Sequence, residues 1–393
     1  MKKYLTHICC LVLLILLVPG ACNGNALNIQ AFRSEQVDRL MEEGISRGLI
    51  AGGVVLVGTR RGVLFEKAYG RLSTEQSAGP MAVESLFDIA SLTKVVATTP
   101  SILKLAEEGR LSLVDQVGKW LPEFSGRKDL LIWNLLTHTS GLDDFSLSSA
   151  APMQSAIAGA AGQKPKGVVG SRFRYADINF ILLGEIVRRV SGLPLDQYAA
   201  QHFYAPLGMR DTLFNPDQER ALRCSSTLTG ERTMMTGQVQ DYLSRQLGGV
   251  AGHAGLFSSA GDLARFCMMI LNQGDLEGKQ VLSPRAVEQM TAPYFARGGD
   301  VVRGLGWDIA SPYSAPRGTG FSETSFGHTG YSGSSLWLDP NADVFVVLLT
   351  ARIDYRHPRE LSRLRSDLST IVAAQLAPQR ALAELLQSVT AGR

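Results

Sequence analysis

Cysteine is scarce in this chain of 393 residues, and three of its five copies fall within the first 22 positions. The two others, Cys224 and Cys267, have no second cysteine a few residues away, the spacing that cysteine zinc sites and redox motifs require. Cysteine-based metal or redox chemistry is therefore not expected. Two lone buried thiols are the expected state of this pair, and a single disulfide between them remains the alternative.

A surplus of charge of one sign is also missing. Lys plus Arg and Asp plus Glu number 39 and 36, and no long run of like charges occurs. Nucleic acid is not an expected partner, because binding it requires a concentrated basic face. The six histidines show no H-E-x-x-H spacing, so no metal is expected. No cofactor is expected either.

A long hydrophobic run occurs only near the start, at residues 8–18, after Lys2 and Lys3. This run is too short to span a bilayer and is typical of a secretory signal peptide. We therefore predict a signal peptide over residues 1–21 and an exported, periplasmic or cell-envelope protein. Cys22 follows directly, which resembles a lipoprotein signal and implies membrane attachment through a lipidated Cys22. Ordinary cleavage after Ala26 is the alternative, and both stay open.

Strand patterns occur at both ends of the chain, and helical patterns fill its middle. Residues 52–70 and 333–351 each predict a β-hairpin, and helical patterns occupy residues 34–48 and 359–377 outside them. This order predicts an α+β fold, with one antiparallel sheet built from both chain ends, flanked by terminal helices, and a mainly helical subdomain inserted. The expected limits are residues 34–378 for the domain, roughly 91–295 for the helical subdomain and 379–393 for a C-terminal tail.

A serine and a lysine stand three residues apart in FDIASLTKVVA, residues 87–97. At this helical spacing Ser91 and Lys94 share one face, about 5–6 Å apart at Cβ. Their apolar neighbours disfavour a charged lysine and would lower its pKa, so that Lys94 could activate the hydroxyl of Ser91. Unpaired N–H groups at the helix start would favour an oxyanion. An amphipathic surface helix is the alternative, because S-x-x-K alone is a weak signal.

Two later segments add polar groups that suit the same cleft. Tyr175 and Asp177 precede a helical pattern in FRYADINFILLGEIVRRVSG, although a buried aromatic residue and an N-cap would give the same pattern. His328, Thr329 and Gly330 open a predicted strand, where a glycine allows a ligand to approach the backbone. Each segment alone is equally compatible with a purely structural role.

Two other patterns suggest chemistry that their context does not support. Residues 44–48 match G-x-S-x-G, but the nucleophile elbow needs a strand before the serine and a helix after it. Here a helical pattern precedes and a strand follows, so Ser46 is not expected to be catalytic. The glycine-rich residues 248–255 lack the Gly-Lys-Ser/Thr of a phosphate-binding loop.

Taken in order, the three segments resemble the signatures S-x-x-K, Y-x-N and K/H-x-G of the serine β-lactamase and penicillin-binding protein superfamily. They are most similar to the branch of class C β-lactamases, DD-carboxypeptidases and esterases. Sequence segments typical of that branch also occur at residues 135–142, 247–266 and 304–309. The resemblance covers roughly residues 45–351 and implies the superfamily's β-lactamase/transpeptidase-like fold.

The resemblance also implies a role for each matching residue. Ser91 would be the acylated nucleophile, and Lys94 would take its proton. Tyr175 would act with Lys94 as base and then as acid for the leaving group. The backbone N–H groups of Ser91 and Tyr331 would form the oxyanion hole, in which one donor is worth about 10²–10³ in rate. The substrate contacts would come from Asp177, His328, Thr329 and Gly330.

Three positions depart from the family pattern. Asp177 replaces an asparagine that donates to the substrate amide, and an ionised carboxylate can only accept; it could instead hold Lys94 or Tyr175. His328 replaces a lysine that meets a substrate carboxylate, and a histidine is mostly neutral near pH 7. Gln240 stands where a histidine is expected. The first two changes favour peptidase or esterase members over an efficient β-lactamase.

The sequence thus predicts an exported serine hydrolase that forms an acyl-enzyme on amide or ester bonds. A DD-carboxypeptidase-like peptidase acting on peptidoglycan-derived peptides is favoured. A carboxylesterase or a weak class C-like β-lactamase remains an alternative on the same fold, with a small-molecule substrate. A penicillin-binding sensor or wall-binding module with little turnover is the alternative of another class. The oligomeric state stays open.

Overall fold

The computed structural model describes residues 32–228, 233–297 and 301–391, with side chains as far as residue 376. The predicted signal peptide and Cys22 lie outside the described residues. No helix in the described part of the chain has the length and apolar character needed to cross a membrane.

Both ends of the chain supply strands, as the two predicted hairpins require. The N-terminal end contributes β1 (Ile50–Thr59) and β2 (Gly62–Gly70). The middle contributes short strands, namely β3 (Phe87–Asp88), β4 (Leu213–Phe214), β5 (Thr227–Leu228), β6 (Met234–Met235), β7 (Leu256–Ser258), β8 (Asp275–Leu276) and β9 (Lys279–Gln280). The C-terminal part contributes β10 (Phe295–Arg297), β11 (Val301–Arg303), β12 (Asp308–Ala310), β13 (Phe326–Thr329), β14 (Ser335–Asp339) and β15 (Val344–Arg352).

The main sheet joins the two chain ends through β1 and β15. Its strand order is β10-β11-β12-β13-β14-β15-β1-β2, with antiparallel neighbours throughout. In the centre, Val55 of β1 lies opposite Leu348 of β15 and Lys67 of β2. The predicted α+β fold with an antiparallel sheet from both ends is therefore confirmed. The edge strands β10 to β12 were not expected from the sequence.

Helices supply most of the regular secondary structure in the middle of the chain, and a helix stands outside the strands at each end. Gly192 ends the helix that follows Tyr175, with a left-handed φ of 81°. The last helix was predicted to end at residue 377 and continues to Ala391. The α-helices are α1 (Glu35–Ser46), α2 (Thr99–Glu107), α3 (Ile132–Leu136), α4 (Pro152–Ala161), α5 (Ile178–Ser191), α6 (Leu195–Ala199), α7 (Ala205–Leu207), α8 (Gln218–Ala221), α9 (Tyr242–Gln246), α10 (Ala260–Leu271), α11 (Pro284–Thr291) and α12 (Pro358–Ala391). Single 3₁₀ turns occupy Ala90–Leu92, Val117–Lys119, Pro122–Phe124 and Ala315–Arg317, and π-helical turns occupy Lys94–Thr98 and Ala200–Tyr204.

The central strands β1, β14 and β15 are buried on both faces of the sheet, and their successive side chains point to opposite sides. Val54 and Leu56 of β1 belong to the large core shared with the helical region. Val55 and Val57 belong to a second core, which α1 and α12 cover. The terminal helices therefore flank the sheet on one face, and the helical middle of the chain packs on the other.

The two cysteines outside the leader are buried and free. Cys224 belongs to a small apolar cluster with Leu86, Val239 and Phe257. Cys267 is a core residue of α10. The expectation of two lone buried thiols is confirmed, and the alternative of a disulfide between them is wrong.

Candidate active site

A strained turn presents Ser91 at the junction of strand β3 and the helical region. Ala90 has a φ of +47°, a conformation uncommon for any residue with a side chain. Buried Asp88 holds this turn, because its carboxylate accepts the N–H of Ala90 at 2.8 Å and the N–H of Gln240 at 2.7 Å. Burial raises the pKa of Asp88 to about 6, against these two hydrogen bonds. Strain concentrated at one residue is typical of functional sites.

Lys94 lies beside Ser91, although the local backbone is not the α-helix that the spacing predicted. A 3₁₀ turn at Ala90–Leu92 leads into a π-helical turn at Lys94–Thr98, and α2 begins only at Thr99. Nevertheless the Lys94 Nζ–Ser91 Oγ distance is 2.9 Å. The S-x-x-K spacing therefore brings the two groups together, and irregular helical turns are frequent where a chain carries function.

Lys94 is completely buried and holds three acceptors. Besides Ser91 Oγ, its Nζ donates to Asp177 Oδ1 at 2.7 Å and to the carbonyl oxygen of His253 at 3.0 Å. Burial disfavours the charged lysine, but the carboxylate of Asp177 outweighs it, and the pKa of Lys94 is raised above its ordinary value. The expectation that apolar neighbours lower this pKa is therefore wrong, because it lacked the partner carboxylate.

Tyr175 and Asp177 reach Lys94 from the start of α5. Asp177 stands at the N-cap position but makes no side-chain cap; Asp144 takes that role by accepting the N–H of Ile178 at 2.8 Å. The carboxylate of Asp177 is thereby left for Lys94. The Tyr175 ring centroid lies 5.0 Å from Lys94 Nζ. Burial raises the pKa of Tyr175, against hydrogen bonds of its phenol with Lys94 and Ser91.

The His-Thr-Gly segment closes the third side of the cleft. Gly330 is required where the end of β13 meets the Ser91 turn, because a Cβ there would lie 2.5 Å from the carbonyl oxygen of Ile89. Buried His328 has Nδ1 2.9 Å from the carbonyl oxygen of Thr329. Burial lowers the pKa of His328 well below the usual value, so it is neutral near pH 7. Tyr331 follows, with a side chain that is 57% exposed.

Ser91 lies where two cavities meet. The wide lobe has a volume of about 980 Å³ and the narrow lobe about 430 Å³. Ser91, Tyr175 and Tyr331 border both, so the two predicted oxyanion residues face the same space. The wide lobe also carries Asp177, Gln240, Asp241, Arg245 and His253. The narrow lobe also carries Arg303, His328, Thr329, Gly330, Arg352 and Arg365. All predicted site residues therefore line one cleft, except completely buried Lys94, which contacts Ser91.

Several residues of this cleft were not found from the sequence. Buried His138 stacks on Tyr175 with ring centroids 4.4 Å apart. His253 Nε2 lies 2.7 Å from Asp241 Oδ1. Arg303 is buried against Asp308. The family-like segments around His138 and His253 were the only available signal, since no regular helix or strand spacing predicts any of these three contacts.

Three groups of the wide lobe could offer metal ligands. Ligand atoms of Asp177, Asp241 and His253 all lie within 4.8 Å of one another. The Lys94 ammonium already contacts Asp177, and His253 already bonds to Asp241. A metal ion would have to displace Lys94 from Asp177 and His253 from Asp241. The expectation that no metal is bound stays a prediction.

Arg303 and Asp308 form a buried ion pair beneath the narrow lobe, 3.0 Å apart and at most 3% exposed. Asp308→Asn should lower the free energy of unfolding by about 3–5 kcal/mol, because it leaves a buried guanidinium without its counter-charge. Thermal and urea unfolding measure this. Asp129→Asn is the control: its side chain is 62% exposed, and it should change stability by less than about 1 kcal/mol. Equal effects of both variants would contradict the prediction.

Comparison with known proteins relates most of the chain to one protein family. A family profile described as Beta-lactamase matches residues 37–368. An Escherichia coli K12 protein named "Putative D-alanyl-D-alanine carboxypeptidase" is 30% identical over 365 residues, covering 81% of this chain and 82% of that protein. The N-acetylmuramyl-L-alanine amidase of Bacillus subtilis strain 168 is 28% identical over 379 residues, covering 85% and 84%.

Solved structures share the fold at lower identity. The hydrolase EstCE1, described as having promiscuous acyltransferase activity, superposes with a TM-score of 0.69 at 23% identity, covering 85% of this chain and 98% of that one. A class C β-lactamase in complex with cefoxitin superposes with a TM-score of 0.71 at 20% identity, covering 87% and 98%. At these identities the likeness establishes the β-lactamase fold.

Proposed function

The chain belongs to the β-lactamase family of serine hydrolases, and from this premise we propose that it is an exported peptidase that removes a C-terminal residue from cell-wall D-alanyl peptides through an acyl-enzyme. Export rests on the leader sequence alone, and membrane attachment on Cys22. The peptidase assignment rests on the cleft, for which one observation carries most weight. Ser91 Oγ lies 2.9 Å from Lys94 Nζ, and Ser91 and Tyr175 both border the wide and the narrow lobe.

The reaction follows from the positions of these groups. Ser91 Oγ attacks the scissile carbonyl, and its proton passes to the Lys94–Tyr175 pair. The developing oxyanion would be bound by the N–H groups of Ser91 and Tyr331. Tyr175 then gives a proton to the amine as the C–N bond breaks. Water attacks the ester in the reverse sense, releasing the acid and restoring the Ser91 hydroxyl.

Positive charge in the narrow lobe supports a leaving group that carries a carboxylate. Arg352 and Arg365 are at most 9% exposed and donate to the carbonyl oxygens of residues 330, 331, 333, 334 and 354. Among the described residues, neither guanidinium forms an ion pair with a carboxylate. Carbonyl groups are neutral acceptors, so both guanidinium groups bring positive charge to the lobe beside neutral His328. These arginines supply the charge that the family lysine would have supplied.

A second candidate is an amidase acting on an N-acetylmuramyl-L-alanine bond, the activity that the name of the Bacillus relative states. The wide lobe favours it, because about 980 Å³ exceeds what a short peptide side chain fills. The exposed rings of Tyr242 and Tyr331 border that lobe and could pack against a sugar. A carboxylesterase and a penicillin-binding sensor are the two further rival functions.

The test compares substrates that differ in one group. We expect an N-acylated D-Ala-D-Ala peptide to be cleaved, and the same peptide with a C-terminal amide to show a KM at least about tenfold higher. Arg352→Gln should remove this difference without abolishing cleavage of the amide form, since the charge contributes to binding. Liquid chromatography of released D-alanine measures both.

Three different results would identify the rival functions. Cleavage of an N-acetylmuramyl-L-alanine bond in place of the D-alanyl bond would establish the amidase. Turnover of a nitrophenyl ester with no peptide cleavage would establish the esterase. Covalent labelling by a fluorescent penicillin without turnover of any of these substrates would establish the sensor.

A further inference from the structure

In its charged form, the lysine beside the nucleophile has no lone pair that could accept the serine proton. A lysine ammonium has three donors and no acceptor. In this cleft its three N–H bonds are directed at Ser91 Oγ, Asp177 Oδ1 and the carbonyl oxygen of His253, at 2.7–3.0 Å. Charged Lys94 therefore donates to the nucleophile and cannot accept its proton.

Tyr175 is the other group within reach of the Ser91 proton, and it is protonated too. Its ring centroid lies 5.0 Å from Lys94 Nζ, and Tyr175 and Ser91 border the same two cavities. A phenol accepts a proton only after losing its own. The nearby positive charge of Lys94 favours that loss, whereas the negative charge of Asp177 opposes it. The resting site thus carries one proton more than acylation requires.

We propose that Asp177 is a positioning residue that locks Lys94 in its charged form, so that acylation of Ser91 requires a proton to leave the Lys94–Tyr175 pair and accelerates at alkaline pH. This inference needs only that Ser91 is acylated, whichever substrate supplies the acyl group. An asparagine at the same position could hold the lysine by its carbonyl oxygen, but it would add no negative charge.

His138, His328 and Asp241 are poor alternative acceptors for the Ser91 proton. Burial keeps His138 and His328 neutral, with pKa values well below the usual range. Asp241 is ionised, since its pKa is lowered to about 2: burial raises it, but the hydrogen bond with His253 outweighs that. The titratable or charged groups that face the Lys94–Tyr175–Asp177 cluster are His138, Asp144, Asp241, His253, Arg303 and His328.

The direction of the pH effect follows from the charge of Asp177. A carboxylate near the pair favours its protonated form, so it raises the pKa at which the pair loses a proton. Below that pKa the active fraction, and with it the acylation rate, rises about tenfold for each pH unit. Because the two groups are coupled, the profile reports one macroscopic pKa for the pair.

The test is the pH profile of acylation in Asp177→Asn. The rate constant for Ser91 labelling by a fluorescent penicillin, and by a nitrophenyl ester, is measured from about pH 5.5 to about pH 10 in both proteins. The ascending limb should move to lower pH by at least about one unit in the variant, with a rate about tenfold or more higher at pH 7. Asp143→Asn is the control, because Asp143 pairs with Lys166 and Arg174 and not with Lys94.

A second measurement is independent of turnover. Lysines are labelled with ¹³C at Cε, and the Lys94 signal is assigned by its disappearance in Lys94→Arg. Lys94 should titrate at lower pH in Asp177→Asn than in the unaltered protein. The inference would be overturned if the ascending limb of the pH profile does not move in Asp177→Asn, or if Lys94 titrates identically in the variant and the unaltered protein. Either result would leave the proposed function intact. Absence of any Ser91-dependent acylation would instead count against the proposed function, and the Lys94 titration would still decide this inference.

Discussion

Ser91→Ala is expected to abolish hydrolysis of every substrate that the protein accepts, lowering kcat by on the order of 10⁴-fold or more. Removal of the nucleophile from a serine hydrolase leaves only binding and oxyanion stabilisation to assist the attack of water. Ser91 is the hydroxyl that lies between the two lobes and within 2.9 Å of Lys94. Steady-state kinetics with the D-alanyl peptide and with a nitrophenyl ester measure the loss.

Loss of the covalent intermediate is the more specific sign. Intact mass spectrometry should find one acyl group on the unaltered protein after incubation with a slowly hydrolysed penicillin, and none on Ser91→Ala. Ser46→Ala is the matched control, since Ser46 stands in the G-x-S-x-G match but ends α1 and donates to the carbonyl oxygen of Glu43. An acyl group found on the Ser91→Ala variant, or none found on the Ser46→Ala variant, would contradict the assignment of Ser91 as the nucleophile.

Local spacing sufficed to predict the Ser91–Lys94 contact. Residues three apart share a face in any helical turn, so the pair meets even though the backbone is 3₁₀ and π-helical here. The same holds for the two hairpins, because β1 and β2, like β14 and β15, are joined by short turns. Where a strand is a continuous apolar run, as in β1, the sequence also indicates that both faces of the sheet are buried there.

Charge at the site could not be predicted from local spacing. The state of Lys94 depends on Asp177, which lies 83 residues away in sequence, and on the carbonyl oxygen of His253, which lies 159 residues away. Burial of Lys94 was predicted correctly, but burial alone predicts a lowered pKa. The neighbouring carboxylate of Asp177 raises the pKa of Lys94 instead. Arg352 and Arg365 were likewise not found from the sequence, since their position beside the narrow lobe depends on how β15 and α12 pack.

The edge strands illustrate a second limit. Strands β10 to β12 have three residues each, which is too few to show a two-residue alternation. They pair because β13 offers a free edge and the intervening chain returns to it. Arg303 in β11 and Asp308 in β12 thereby meet beneath the narrow lobe. Only the folded topology makes that buried ion pair possible.

Lys94→Met should lower the rate of acylation by on the order of 10²–10⁴-fold, the usual contribution of a positioned proton-transfer group. Methionine fills most of the buried space of the lysine stem but cannot donate to Ser91 Oγ. The loss should persist at alkaline pH, because raising the pH cannot restore the missing amine. Stopped-flow labelling with a fluorescent penicillin measures it. Lys104→Met is the control, since Lys104 pairs with Glu107 on α2, away from the cleft.

A double substitution separates chemistry from folding. Lys94→Met alone leaves the carboxylate of Asp177 without its cation, and an unpaired, partly buried charge lowers stability as well as activity. Adding Asp177→Asn removes that charge, so the melting temperature should recover at least in part. If Lys94 takes part in the reaction, the acylation rate of the double variant stays low despite the recovered stability. Recovery of both together would show instead that Lys94 serves only to neutralise Asp177.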